Sequence, residues 1–182
     1  MTRPILILSA AALGLSACTL PDVLPRPDTT ADPAVGAQAG QEMEGQAAAL
    51  RAGMSSKGIS VVNTGAELVV TLPNDMTFPS GTSALTPAVR SDLAALARNL
   101  NAFPGTAADI ISHTDSTGDA GANQLLTTER AAAIMAALVS NGVDVNRLRA
   151  IGRGESDPKA SNLSEGGRAE NRRVEIIIRP AT

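Results

Sequence analysis

Residues 173–178 read Arg-Val-Glu-Ile-Ile-Ile and form the strongest strand pattern in the chain. The run is nearly continuous in apolar side chains, which is typical of a strand that is covered on both faces. We therefore predict that these residues form a central strand of a β-sheet.

Upstream of this strand, strand patterns alternate with helical ones. Residues 59–72 predict a β-hairpin with its turn at 63–65, and shorter strands are predicted at 109–112 and 148–152. Helices are predicted from the Thr86-Pro87 N-cap to Leu100, from Asn123 to Asn141 with Gly142 as the C-cap, and as a short turn at 168–171. This order predicts an α/β fold, in the form of an α+β sandwich with a mixed β-sheet and helices packed on one face.

The composition limits the classes of function. The chain has 182 residues, with 15 basic and 18 acidic side chains and a formal net charge of −3. A nucleic-acid-binding surface would need clustered excess Lys and Arg, so we predict no nucleic-acid partner. Phe78 and Phe103 are the only aromatic residues, which leaves no platform for stacking bases. Leu, Ile, Val and Ala are plentiful enough to build the core of one domain.

The N-terminus has the pattern of a targeting segment. Arg3 precedes an apolar run at 5–15, which is shorter than the roughly 20 residues needed to span a bilayer, so residues 1–17 are predicted to be a signal peptide. The following Cys18, after Leu-Ser-Ala, resembles the acylated cysteine of a bacterial lipobox. This resemblance implies a lipoprotein whose fatty acyl chains, palmitate among them, anchor it in a membrane. Thr19 rather than Asp follows Cys18, which favours the outer membrane. The alternative is cleavage after Ala17 with a free thiol.

Two segments separate the targeting signal from the predicted domain. Residues 18–33 hold the cysteine and four prolines, a composition that is typical of a semi-extended linker. Residues 34–57 are rich in Ala, Gln and Gly and predict a helical segment that Gly36, Gly40 and Gly45 weaken. The globular domain is predicted to span residues 58–182.

The residues that suggest a binding function are Asp115 and Arg130. Asp115 lies in the polar segment 112–118 after a predicted strand, where ligands gather in open α/β sheets. Arg130 lies on the next helix, and its planar fork suits a carboxylate. Together they could bind a zwitterionic group such as an amino-acid end. The alternatives are an internal Asp–Arg ion pair, or Asp115 as a turn residue.

Several separated motifs, in order, resemble the OmpA-like peptidoglycan-binding domain. They comprise His113-Thr114-Asp115-Ser116-Thr117-Gly118 with Asn123, Leu126, Arg130 and Ala131, then Gly152 to Pro158, Asn162, Glu165, Arg168 and Asn171-Arg172-Arg173-Val174-Glu175. Phe78-Pro79-Ser80-Gly81 is similar to the family's first strand-to-loop segment. The resemblance covers residues 59–180. It departs from the family pattern at Ser112, where Gly is usual, and at Leu126-Thr127-Thr128.

The resemblance implies a βαβαβ arrangement preceded by a hairpin, and a site for the meso-diaminopimelate of the peptidoglycan stem peptide. Asp115 would bind the ammonium group of the ligand and Arg130 its carboxylate. Thr114, Asn123, Arg172 and Arg173 would line the pocket, and His113 and Asn171 would support it. If Arg172 and Arg173 alternate faces on a strand, one of them would reach the pocket while the other is solvated. The protein would thereby tether the outer membrane to the cell wall, with its domain in the periplasm of a Gram-negative cell.

Two other functions are alternatives to a simple tether. A cell-wall hydrolase would need a nucleophile with a base or a metal, but the single His and single Cys give no metal-ligand set and no Gly-x-Ser-x-Gly elbow occurs. We therefore predict no catalytic residues, metal or cofactor. The second alternative is an anchoring subunit of a larger envelope assembly, for which residues 34–54 would be the partner surface.

Overall fold

The computed structural model describes residues 33–54 and 56–181. The helices are α1 (Pro33–Gly53), α2 (Asn74–Thr77), α3 (Pro87–Ala102), α4 (Ala120–Ser140) and α5 (Glu165–Asn171). The strands are β1 (Ser60–Asn63), β2 (Leu68–Pro73), β3 (Thr106–Ser112), β4 (Leu148–Gly152) and β5 (Arg173–Pro180). The predicted signal peptide, Cys18 and all but the last residue of the predicted linker lie outside the described residues.

The strands of this part of the chain form one mixed sheet in the order β1-β2-β5-β3-β4. The predicted fold class and the central position of β5 are both confirmed. β5 runs antiparallel to β2 and to β3, while β4 is parallel to β3. Ile176 at the centre of β5 is in register with Val70 on one side and Ile110 on the other.

Alternate side chains of the sheet form the core together with the helices. Val174, Ile176 and Ile178 of β5 are completely buried, as the two-residue repeat of a strand requires for one face. They belong to the same buried cluster as Leu93 and Leu96 of α3. The Thr86 hydroxyl caps α3 by accepting from the backbone N–H of Val89, and Pro87 occupies its first turn. The Thr86-Pro87 helix start is therefore present as predicted.

The opposite face of the sheet is only half covered, so the prediction that both faces of β5 are covered is wrong. Ile177 on this face is half-buried. An ion-pair ladder crosses the face instead: Arg179 contacts Glu67 at 3.0 Å and Asp109 at 2.9 Å, and Asp109 also accepts from Arg149 at 2.7 Å. Complete removal of such charges from water is costly, so a half-open face suits them.

Helix α1 packs against the domain. Met43, Ala47 and Leu50 lie four and three positions apart and are at most 4% exposed, because residues at this spacing share one helix face. The buried side-chain amide of Gln46 donates to Asn99 of α3 at 3.0 Å. The core thus includes side chains upstream of residue 58, where we predicted the domain to begin. Within residues 33–54 and 56–181, each helix is too short or too polar to span a bilayer.

Candidate ligand-binding site

A recess of about 750 Å³ opens beyond the C-terminal end of β3. Its walls are the segment after β2, the loop after β3, and helices α4 and α5. Its charged lining comprises three carboxylates and three guanidinium groups, from Asp75, Asp115, Glu165, Arg130, Arg168 and Arg172. Asp115 and Arg130 therefore line the same recess, and they are not paired with each other.

Asp115 lies in the loop after β3 and is 5% exposed. Its Oδ2 accepts from Nη1 of Arg172 at 2.8 Å, and its Oδ1 accepts from the backbone N–H of Thr117 at 2.9 Å. Burial disfavours the ionised form, but the hydrogen bonds from Arg172 and Thr117 outweigh it, so the pKa of Asp115 lies below its ordinary value. Asp115 is an anion at neutral pH.

The Asp115 loop is held from both sides by amide side chains. On the α4 side, the Asn123 amide donates to the carbonyl of Thr117 at 3.1 Å and to Glu155 at 2.7 Å. On the α5 side, Oδ1 of Asn162 accepts from the backbone N–H of Ser116 at 3.3 Å. The Asn171 amide donates to the same Asn162 oxygen at 2.8 Å. Asn171 thus reaches the loop through Asn162, in the position of a supporting residue.

Arg130 lies on α4 and is also 5% exposed. Its Nε donates to the carbonyl of Thr82 at 2.8 Å, and its guanidinium lies over the ring of Phe78, 4.9 Å from the centroid. Burial lowers the pKa of Arg130, an effect that the negative charge of Asp75 opposes. Among the described residues no carboxylate forms an ion pair with Arg130, and neither Nη nitrogen has a hydrogen-bond acceptor.

Arg172 bridges three carboxylates at the other side of the recess. It contacts Asp75 at 3.1 Å, Asp115 at 2.8 Å and Glu165 at 3.2 Å. These hydrogen bonds, that of Asp75 first, raise the pKa of Arg172 above its ordinary value. Asp75 is a site residue that sequence reasoning missed, because nothing in the segment around it indicates that it meets a residue 97 positions away.

Arg173 does not line the recess, so its prediction as a pocket residue is wrong. Its side chain is 6% exposed, and its Nε donates to Glu175 at 2.8 Å on the other face of the sheet. Arg172 is the C-cap of α5, whereas Arg173 is the first residue of β5, and the two side chains have different partners. The other nitrogens of Arg173 donate to the carbonyl of Asp157 at 3.4 Å, which ties β5 to the loop after β4.

His113 is 1% exposed and lies beneath the Asp115 loop. Its backbone N–H donates to the carbonyl of Arg173, and its own carbonyl accepts from the Asn74 amide, each at 2.8 Å. Neither ring nitrogen has a hydrogen-bond partner among the described residues, and Nε2 lies 3.9 Å from Glu175. Burial, followed by the charge of Arg173, lowers the pKa of His113, so the ring is neutral at pH 7.

Thr114 lines the recess and is held by its backbone N–H, which donates to the carbonyl of Gly154 at 2.9 Å. The departure from the family pattern at Thr127 has a structural role here. Its hydroxyl donates to the carbonyl of Asn123 at 3.0 Å and accepts from the N–H of Gly154 at 2.9 Å. In residues 33–54 and 56–181 no group of three His, Cys, Asp or Glu side chains is placed to hold a metal ion.

Comparison with curated proteins gives relatives along most of the chain. The Escherichia coli K12 protein named probable lipoprotein YiaD is 40% identical over 146 residues, which are 80% of this chain and 67% of that protein. The peptidoglycan-binding protein ArfA of Mycobacterium tuberculosis H37Rv is 38% identical over 101 residues, 56% of this chain. The chain spans 31% of the length of ArfA.

Solved structures share the fold. A MotB-like protein from Desulfovibrio vulgaris superposes with a TM-score of 0.71 at 24% identity, covering 81% of this chain and 97% of that one. The cell wall anchor of the T6SS from Pseudomonas aeruginosa gives 0.67 at 28% identity, covering 75% and 97%. The model of the OmpA family matches residues 77–172, a stretch that includes Phe78, Asp115, Arg130 and Arg172. Since this match spans more than half of the chain, the chain belongs to the OmpA family.

Proposed function

We propose that the recess binds the meso-diaminopimelate group of the peptidoglycan stem peptide without covalent chemistry. The charged lining is balanced, with three carboxylates and three guanidinium groups. A ligand that carries one ammonium and one carboxylate leaves this balance unchanged. Free diaminopimelate ends of the cell wall have both groups on one carbon.

The state of Arg130 is the observation that carries this proposal. A buried cation with no carboxylate partner among the described residues is costly unless an anion joins it. The planar fork of Arg fits a carboxylate through two parallel N–H···O bonds. A ligand carboxylate at this position would supply the missing partner.

Asp115 supplies the opposite charge. An ionised carboxylate has about four acceptor sites, and Arg172 and Thr117 use two of those on Asp115. The sites that are left would receive the ligand ammonium. The similar protein ArfA is named for binding peptidoglycan, and the similar T6SS protein is described as a cell wall anchor, which supports the proposal.

The test is co-sedimentation of the full-length chain with purified sacculi. We expect Asp115→Ala and Arg130→Ala each to abolish sedimentation while the far-UV circular dichroism stays that of the wild type. The matched control is Arg149→Ala, which removes an arginine that pairs with Asp109 on the half-open face of the sheet. Sedimentation retained by both recess variants, or lost equally by the control, would contradict the proposed site.

We further propose that acylated Cys18 anchors the chain in the outer membrane, so that the protein is held at two points. The lipobox resemblance and the name of YiaD support this proposal. Two-point attachment raises the effective concentration of the second binding event, so a weak recess suffices for tethering. Labelled palmitate should appear in the wild type and not in Cys18→Ser, and only the wild type should fractionate with outer membranes.

The likeness to the T6SS cell wall anchor favours one alternative, in which wall binding anchors a larger envelope assembly. Chemical cross-linking in intact cells separates the two, because a lone tether yields no specific protein adduct. Binding without catalysis is also part of our proposal, and release of soluble fragments from sacculi by the wild type would contradict it.

A further inference from the structure

The guanidinium of Arg130 is held at two places by the segment after β2. The ring of Phe78 lies 4.9 Å from Cζ, and the carbonyl of Thr82 accepts from Nε at 2.8 Å. Phe78 is 2% exposed, so its ring is fixed by the core around it. A ring face attracts a cation through its quadrupole, and the attraction is strongest where water is excluded.

These two contacts determine which edge of the guanidinium is open. A carboxylate binds Arg side-on, through Nε and one Nη, or end-on, through both Nη nitrogens. Thr82 already uses the Nε hydrogen, which removes the side-on mode. Contact with the Phe78 ring restricts the group further, and the end-on edge is the one that these two contacts leave open.

The segment that makes these contacts is itself ordered. The backbone N–H of Phe78 donates to the carbonyl of Asn74 at 2.8 Å. The N–H of Thr82 donates to the carbonyl of Pro79 at 3.2 Å, and Gly81 has a φ of 70°, a conformation that favours glycine. This turn directs the Thr82 carbonyl towards α4 before any ligand arrives.

We propose that Phe78 is a positioning residue, which orients the guanidinium of Arg130 so that its two Nη nitrogens meet the ligand carboxylate end-on. The inference rests on the proposed function, since it concerns the carboxylate half of the same ligand. Its consequence is preorganisation: the long Arg130 side chain loses little freedom on binding. Without the ring, ordering this side chain is expected to weaken affinity about 3- to 10-fold.

The experiment replaces Phe78 in the full-length chain with mono-, di- and trifluorophenylalanine, which keep the shape of the ring and progressively weaken its quadrupole. Affinity is measured for L-Ala-γ-D-Glu-meso-diaminopimelate and for the same tripeptide with the carboxyl group beside the free amine converted to an amide. We expect a graded loss for the first ligand, about 3- to 10-fold over the series, and affinities within about twofold of one another for the second. The same replacements at Phe103, which does not line the recess, are the matched control and should change neither affinity.

Phe78→Leu is the second variant. Its affinity for the tripeptide with the free carboxylate should be as low as that of the trifluoro protein, or lower. The ratio of its affinity for this ligand to its affinity for the amidated one should also fall. A flat fluorine series overturns the proposal even where Phe78→Leu binds weakly, because the residue then contributes only shape. An unchanged ligand ratio in Phe78→Leu overturns it as well.

Nuclear magnetic resonance of the Arg130 Nε–H group separates this inference from the proposed function. In the ligand-free wild type we expect an order parameter near that of rigid backbone, about 0.85, and a clear decrease in Phe78→Leu. A wild type that fails to bind the tripeptide would refute the proposed function, while the order parameters would still decide the role of Phe78. Equal order parameters in the two proteins would refute that role.

Discussion

The substitution Arg130→Lys tests the proposed carboxylate site most directly, because it keeps the charge and removes the fork. An ammonium group is a compact point charge and cannot make the two parallel bonds of a guanidinium to one carboxylate. One charge-assisted hydrogen bond is lost, which costs about 1.5–3 kcal/mol. At about 1.4 kcal/mol per tenfold change, affinity should fall about 10- to 150-fold.

The loss should be specific to the bound state. The contacts of Arg130 with Thr82 and Phe78 exist without ligand, so their removal also lowers the free energy of unfolding. Isothermal titration calorimetry with the free and the amidated tripeptide measures the affinities, and thermal melting checks the fold. Arg149→Lys on the half-open face is the control. A change below threefold, or an equal loss for both ligands, would refute the assignment of Arg130 to the carboxylate.

Three further predictions concern the fold around the site. Leu50→Ala should lower the free energy of unfolding by about 2–5 kcal/mol, because Leu50 of α1 is 1% exposed in the core; a loss below about 1 kcal/mol in urea titrations would show that α1 is not integral to the domain. The pKa of His113 is lowered from 6.5 in the folded state, so the unfolded chain takes up a proton first as pH falls. Melting temperature should therefore decrease from pH 7 to pH 5, and the decrease should be smaller in His113→Gln. The carboxylates with lowered pKa values lose their stabilising effect only below about pH 4.5, their ordinary range, so they do not account for this decrease. Gly152→Ala should cost about 1–3 kcal/mol, since the added Cβ would lie 2.8 Å from Cα of Thr128 on α4; a melting temperature equal to that of the wild type would contradict this close packing.

Local patterns were sufficient to predict the sheet. The apolar run of β5, the β1–β2 hairpin and the Thr86-Pro87 cap each depend on residues that are neighbours in sequence, and each element is present, although the hairpin turn lies at 64–67 rather than at 63–65. Boundaries were less accurate: α4 begins at Ala120 rather than Asn123, because the Asp119 side chain caps it by accepting from the N–H of Ala122. Helix α1 was underestimated, since its glycines weaken a helix whose stability comes from tertiary packing.

The parts of the site that lie in short sequence motifs could be predicted. Asp115 and Arg130 could be assigned to one recess from the family resemblance, and the recess contains both. The partners that tune them come from distant segments: Phe78 and Thr82 for Arg130, and Asp75 for Arg172. Such pairings are set by the fold and leave no periodic signal. Arg172 and Arg173 are separated as predicted, but Arg173 pairs with Glu175 instead of facing open water.

The equal number of acidic and basic groups around the recess has a consequence for the rate of capture. A cleft with no net charge exerts little long-range attraction on a zwitterion, so the association rate should be almost independent of ionic strength. Asp115 and Arg130 are nearly buried, and screening by dissolved ions weakens such groups much less than exposed ones. The affinity for the ligand should therefore change little between low and high salt concentration.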